Sequence, residues 1–286
     1  MRRLRISAIS YLNTAPLMWD FEHGPAGADF DISYTLPSGC AAALREGTAD
    51  IGIIPAAAYA SIPGLVILPG VAIAAQNAVR SILLVSRKPI EEVRSVAMDT
   101  SSTTSVALCR VLLERWLGGR REYLPMAPDL DAMLERCDAG LIIGDPGLLV
   151  DRTRYYTLDL AEEWRKQTGK PFVFAFWAVR EQALRELAPG ADLAAVFQRS
   201  RDHGLTLGNL AKICKEWSAR LGLSEADVRG YLTENIYYSL DSGCLKGLEL
   251  YYRYAAECGA LPAAPELRFL TPAGEGAHLA GSRRGR

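Results

Sequence analysis

Five hydroxyl side chains, Ser101, Ser102, Thr103, Thr104 and Ser105, follow Thr100 in the stretch DTSSTTS between an apolar strand-like run and an apolar helix-like one. A helix start carries unpaired N–H groups and a partial positive charge, so hydroxyls placed there add donors around a carboxylate or phosphate. One cap needs one side chain, and Asp99 could supply it; the surplus points to anion binding without Lys or Arg. A second polar group lies in SAISYLNTAPL, where Ser10, Tyr11, Asn13 and Thr14 fall between the first strand and a helix begun by Pro16. Open α/β sheets place ligands there, although Asn or Thr serves equally well as an ordinary cap. In LIIGDPGLL, Asp145 either caps the next helix or sits over a cleft floor. NAVRSILLVS supplies Arg80, read either as a surface ion-pair partner or as a site residue, and Ser81.

Other chemistries lack their parts. The hydroxyl run holds no glycine or lysine of a phosphate loop and no G-x-S-x-G elbow, and a serine hydrolase would need a histidine base. The three histidines, His23, His203 and His278, sit in turn-like or terminal segments. Six cysteines without a C-x-x-C pair give no metal-ligand spacing, so no metal is expected. With 32 basic and 33 acidic residues the chain has no basic field for nucleic acid or anionic membrane. The stretch LGNLAKICKEWSARLGLSEADVRGYL has a helix-turn-helix look, but Lys212, Lys215, Arg220 and Arg229 are balanced by Glu216, Glu225, Asp227 and Glu234. A helix that reads DNA should be basic. A small-molecule ligand is the expectation.

These residues need a frame. A chain of 286 residues favours two domains and a cleft between them. The first half alternates apolar runs with helical patterns, predicting α/β layering with parallel strands at 3–9, 31–35, 50–54, 79–86, 94–98, 121–124, 139–143 and 172–180. Ser38 is placed to cap a helix ending at Gly47. Beyond residue 181 the pattern is helical throughout, with Ser224 and Asp227 forming a capping box. The predicted topology is a first lobe of residues 1–92 and 173–270, an inserted second lobe of 93–172, and a frayed tail over 271–286. KPFVFAFWAVR, apolar almost throughout, serves as the returning strand, and Trp164, Phe172, Phe174 and Trp177 read as core. No internal repeat is legible. The N-terminal residues alternate like a strand rather than a signal peptide, and no 18-residue apolar run occurs, so a cytoplasmic protein that does not engage membranes is expected.

ISYLNTAPL, GTADIGIIP, RSILLVSRKP, MDTSSTTSVAL, LIIGD and DLAEEW…TGKPFVFAFWAVR follow one another between about residues 4 and 255. In that order they resemble the chorismate dehydratase family of the futalosine route to menaquinone. The resemblance implies a two-lobed α/β fold of the type II periplasmic-binding-protein kind, with a central cleft and C-terminal helices. It implies loss of water from chorismate, a dicarboxylate, to give 3-[(1-carboxyvinyl)oxy]benzoate without metal or organic cofactor. The catalytic asparagine of the family falls on Asn13 and its strand-leading serine on Ser81. The carboxylate-binding loop falls on Ser101, Ser102, Thr103 and Thr104; Tyr11 and Asp145 complete the expected substrate-binding set. AAQNAVRS departs from the pattern, with Gln76 and Asn77 where a glycine-containing turn is expected. Hardly any titratable group is available as base, so the substrate's own enolpyruvyl carboxylate is expected to take the ring proton, with Asn13 orienting the leaving hydroxyl. Two other readings share the fold. One is a carboxylate-binding protein without catalysis; the other is the sister enzyme of the route, a dihydroxynaphthoate synthase with a histidine in its cleft.

Overall fold

The computed structural model describes residues 2–187 and 191–271. Its strands are β1 (Leu4–Ile9), β2 (Phe30–Thr35), β3 (Ile51–Pro55), β4 (Leu65–Ala75), β5 (Ile82–Ser86), β6 (Ser95–Asp99), β7 (Glu122–Met126), β8 (Ala139–Ile143), β9 (Tyr156–Asp159) and β10 (Phe172–Arg180). They form two sheets, ordered β2-β1-β3-β10-β4 and β7-β6-β8-β5-β9. In the first, β1 lies parallel to β2 and β3, while β10 runs antiparallel to β3 and β4. The second repeats the scheme: β6 is parallel to β7 and β8, and β5 is antiparallel to β8 and β9. The expected parallel sheets are therefore mixed, because the strands that cross between lobes enter each sheet from the opposite direction. The repeat that the sequence does not display exists in the topology.

Strands β3, β5 and β8 are buried on both faces, as is β10 up to Val179, which is why they read as unbroken apolar runs. Each fully buried Ile, Leu or Phe among them contributes about 1.5–3 kcal/mol. Two strands escape the sequence patterns. Pro69-Gly70 in the middle of β4 reads as a turn, yet β4 is an edge strand that absorbs the pair in a register shift against β10. The four residues of β9 are too short for periodicity to register.

Sheet membership also corrects the lobe boundary. The second sheet starts with β5 at Ile82, not at residue 93, so the chain crosses between lobes over 76–81. An apolar run does not say which lobe it joins; its partners β8 and β9 decide. The return crossing falls between β9 of the second sheet and β10 of the first. The tail placed at 271–286 lies, apart from its first residue, outside the described residues.

Ser38 does not cap its helix. The helix Pro37–Glu46 begins after Leu36 with no side-chain cap, and the Ser38 N–H instead donates to the Ser101 carbonyl of the other lobe at 2.9 Å. Ser224 does accept the Asp227 N–H, at 3.0 Å. Of the C-terminal helices, Leu193–Gly204 seats Phe197 against Phe21 and Trp177 of the first lobe. Ser242–Glu257 lies across both lobes: the buried Tyr252 hydroxyl donates to the Ala56 carbonyl at 2.7 Å, and Tyr251 to the Thr104 carbonyl at 3.3 Å. No helix among the described residues is long and apolar enough to cross a membrane.

Candidate active site

The topological repeat brings together loops from the carboxyl ends of β1, β3, β6 and β8, where open α/β sheets hold ligands. Across the cleft the Leu12 N–H donates to Asp145 Oδ1 at 3.0 Å and the Ala57 N–H to Thr104 Oγ1 at 2.9 Å. The Tyr11 ring lies against Gly144. These contacts hold the lobes closed over a cavity of about 40 Å³, lined by Tyr11, Asn13, Ser102, Ser105, Gly144 and Phe174 among others. That is about the volume of one water, so a ring with two carboxylates requires the lobes to part. A second, 550 Å³ crevice lies on the other side of the hydroxyl loop and shares Ser102, with Arg45 and Thr103 in its wall.

The five hydroxyls of the loop have separate roles. Ser102 is the N-cap of helix Thr103–Leu112: its Oγ accepts the Ser105 N–H at 3.3 Å and lies 3.1 Å from Ser105 Oγ. Ser101 Oγ is buried without a hydrogen-bond partner among the described residues, as is Asp99 Oδ2, while Asp99 Oδ1 accepts the Ser101 N–H at 2.8 Å. Such orphaned atoms cost about 1–3 kcal/mol each, which a ligand supplying partners would recover. Thr104 departs from expectation. It is fully buried and its hydroxyl is taken up by Ala57, so it fastens the lobes rather than facing a ligand. Thr103 is exposed and faces the larger crevice. Ser105 lies in the first helical turn, its N–H taken by Ser102, and lines the cleft cavity.

Asn13 and Ser81 are joined through a residue that the sequence patterns did not single out. Asn13 Nδ2 donates to the Tyr231 hydroxyl at 3.3 Å, and that hydroxyl donates to Ser81 Oγ at 2.9 Å. Asn13 is nearly buried and lines the cavity, whereas Ser81 is fully buried behind it and does not. The expected substrate contact of Ser81 is thus replaced in the closed form by a contact with Tyr231. Tyr231 opens a π-helical turn, Tyr231–Asn235, a distortion frequent at functional sites. In sequence it is one of several apolar positions of a helix, with nothing to mark it.

Ser81 is set by Asp159, the cap of helix Leu160–Thr168. Its carboxylate accepts the N–H groups of Val79 (3.1 Å), Arg80 (2.7 Å), Ala161 (3.1 Å) and Glu162 (3.2 Å). Arg80 has φ 66°, a left-handed conformation that costs a non-glycine residue about 1–3 kcal/mol; the Asp159 bonds offset it. Arg80 therefore serves the site through its backbone. An Asp before a helix was a legible cap; its grip on the turn before Ser81 was not.

Burial raises the Asp99 carboxyl above the usual carboxylate range and Tyr11 above the usual phenol range. Asp145 is pushed up to about 6, chiefly by burial, partly opposed by the Leu12 N–H. Because the folded state binds this proton more tightly than the unfolded chain does, the contribution of Asp145 is most favourable below about pH 4, falls as pH rises to about 6, and is flat above. Asp145→Asn is expected to raise stability over wild type at pH 7 by about 2–3 kcal/mol and to show little difference near pH 3.5, since the amide oxygen keeps the Leu12 bond. Urea midpoints of both proteins at the two pH values check this; equal midpoints at pH 7 would refute it.

Two α/β lobes closing on a small, mainly apolar cavity with Asn13, Ser102 and Ser105 in its wall define a protein of the periplasmic-binding-protein fold class. Solved structures agree: a protein from Archaeoglobus fulgidus matches with TM-score 0.69 at 18% identity over 91% of this chain and 98% of its own. The periplasmic aliphatic sulphonate binding protein of Escherichia coli matches with TM-score 0.66 at 18% identity over 100% and 97%. At these identities the likeness concerns fold alone. The chain belongs to the menaquinone biosynthesis family, whose model matches residues 4–257. A chorismate dehydratase from Thermus thermophilus is 28% identical over 283 residues, covering 93% of this chain and 98% of the relative.

Proposed function

We propose that this protein is a chorismate dehydratase, a carbon–oxygen hydro-lyase of the futalosine route to menaquinone acting in the cytoplasm. The observation that carries the reading is a closable cleft lined by Asn13, Tyr11, Ser102 and Ser105 in a chain of the menaquinone biosynthesis family. Chorismate enters the opened cleft, and one carboxylate takes the hydroxyls of Ser101 and Ser102 and the free N–H groups of the helix start at Thr103. Asp145 and Tyr11 close over it from either lobe.

Dehydration breaks a ring C–H bond, turns its electron pair into a ring double bond, and breaks the C–O bond of the ring hydroxyl; proton and hydroxide leave as water. The enolpyruvyl carboxylate of the substrate takes the proton, and an Asn13 amide N–H supports the departing oxygen. Closure fixes the geometry and excludes solvent, which is worth most to a reaction whose base is part of the substrate. Among the described residues no histidine lines the cleft cavity to support the sister reaction. His23 stacks on Trp19, His203 pairs with Asp20 at 2.8 Å, and neither lines the cleft cavity.

Incubation of the purified protein with chorismate should yield an aromatic product lighter by one water, read by mass and ultraviolet absorbance. Intact chorismate after prolonged incubation with saturating protein would refute the assignment.

A further inference from the structure

We infer that Tyr231 is a positioning residue for the reaction, acting through Asn13 with Ser81 as its anchor; this rests on the dehydratase reading. The argument is one of hydrogen-bond direction. A phenol has one hydrogen, and here it is given to Ser81 Oγ at 2.9 Å, so toward Asn13 the Tyr231 oxygen acts as acceptor. It therefore selects the Nδ2 end of the Asn13 amide, at 3.3 Å, and turns Oδ1 toward the Thr14 hydroxyl, 3.4 Å away. One Asn13 N–H is thereby held and the other is left for the ligand. Without the phenol the amide can rotate by half a turn, presenting a carbonyl where the departing oxygen needs a donor.

Burial makes this selection firm. Tyr231 is 1% and Ser81 0% exposed, and burial holds the Tyr231 phenol protonated. The phenol and Ser81 are thus shut off from bulk solvent. The relay also joins three distant parts of the chain: the loop after β1, the crossing before β5, and the π-helical turn Tyr231–Asn235. That turn is fixed independently, since Asn235 Nδ2 donates to the Ala78 carbonyl at 3.0 Å and Tyr237 exchanges backbone bonds with Ala74 of β4. Tyr231 is thus held by the crossing segment itself, in register with Ser81.

The test compares wild type, Tyr231→Phe, Ser81→Ala and the double variant with chorismate. Tyr231→Phe is expected to lower kcat about tenfold or more with KM within about twofold, because the ring still fills its space while the amide loses its orientation. Ser81→Ala is expected to lower kcat several-fold, and the double variant to be no worse than Tyr231→Phe, since both break one relay. Multiplicative losses in the double variant, an unchanged kcat in Tyr231→Phe, or a loss that appears only in KM would overturn the relay. If Tyr231→Phe does not fold, judged by its melting temperature, Ser81→Ala decides alone: an unchanged kcat overturns the inference. Wild-type protein inert toward chorismate overturns the dehydratase reading and this inference with it, whereas active wild type with an indifferent Tyr231→Phe overturns the inference only.

Discussion

Asn13→Ala is expected to lower kcat for chorismate dehydration by about 10²- to 10³-fold, the usual cost of removing a donor aimed at charge that develops in the transition state. The side chain lies almost buried in the wall of the cleft cavity, and its amide is oriented by Tyr231 rather than by solvent. Alanine leaves the departing oxygen without that donor. The proposed carboxylate contacts lie on other residues, so KM should change by less than about fivefold. Stability should fall by only about 1 kcal/mol, because the Tyr231 hydroxyl keeps its bond to Ser81 and loses one neutral donor. Steady-state kinetics by product absorbance, with a thermal melt as control, separate these effects. A variant retaining more than about a third of wild-type kcat would show that Asn13 does not serve the leaving group.

Gly144→Ala should be nearly as damaging, by a different route. Gly144 has φ 66°, which L residues adopt at a cost of about 1 kcal/mol, and an added Cβ would lie 2.5–2.7 Å from three atoms of the Tyr11 ring. The ring cannot retreat freely, since Tyr11 is buried and the next residue is tied by its N–H to Asp145. The lobes must then stop short of full closure or Tyr11 must leave the cavity wall. A misplacement of about 1 Å in a reaction that relies on positioning costs about 10²-fold, so kcat/KM is expected to fall by that order while the chain loses about 1–2 kcal/mol of stability. Kinetics together with urea unfolding check both numbers. Wild-type kcat/KM in a folded Gly144→Ala protein would refute the close packing of Tyr11 on Gly144 as a condition of turnover.

The sequence carried the frame of this molecule further than its fastenings. Eight of the strands were legible, β3, β5, β8 and β10 most directly, because burial on both faces leaves continuous apolar runs in the composition. The Pro-Gly pair in β4 hid a ninth strand, since the residues that make a turn in solution can also sit in an irregular edge strand. The hydroxyl loop was legible as a cluster, but not the division of labour within it. Which of Thr103, Thr104 and Ser105 faces ligand depends on helical phase and on what the opposite lobe presents, and Ala57 sets that for Thr104. Tyr231 and Asp159 were invisible as site residues for a related reason. Both act through bonds to residues about 80 or more positions away, and no local pattern encodes such a partner.

The helix Ser242–Glu257 and the turn at Tyr231 also set an order of events during synthesis. Domains commonly begin to fold as they leave the ribosome, N-terminal part first. Here both sheets are complete once β10 has emerged, yet the phenol that orients Asn13 follows some 50 residues later, and the tyrosines that clasp Ala56 and Thr104 come later still. A ribosome-bound chain can therefore own both lobes and the whole hydroxyl loop while lacking the pieces that align and fasten them. Competence arrives with the last helices, so a chain cut short after β10 would be a folding intermediate rather than a weak enzyme.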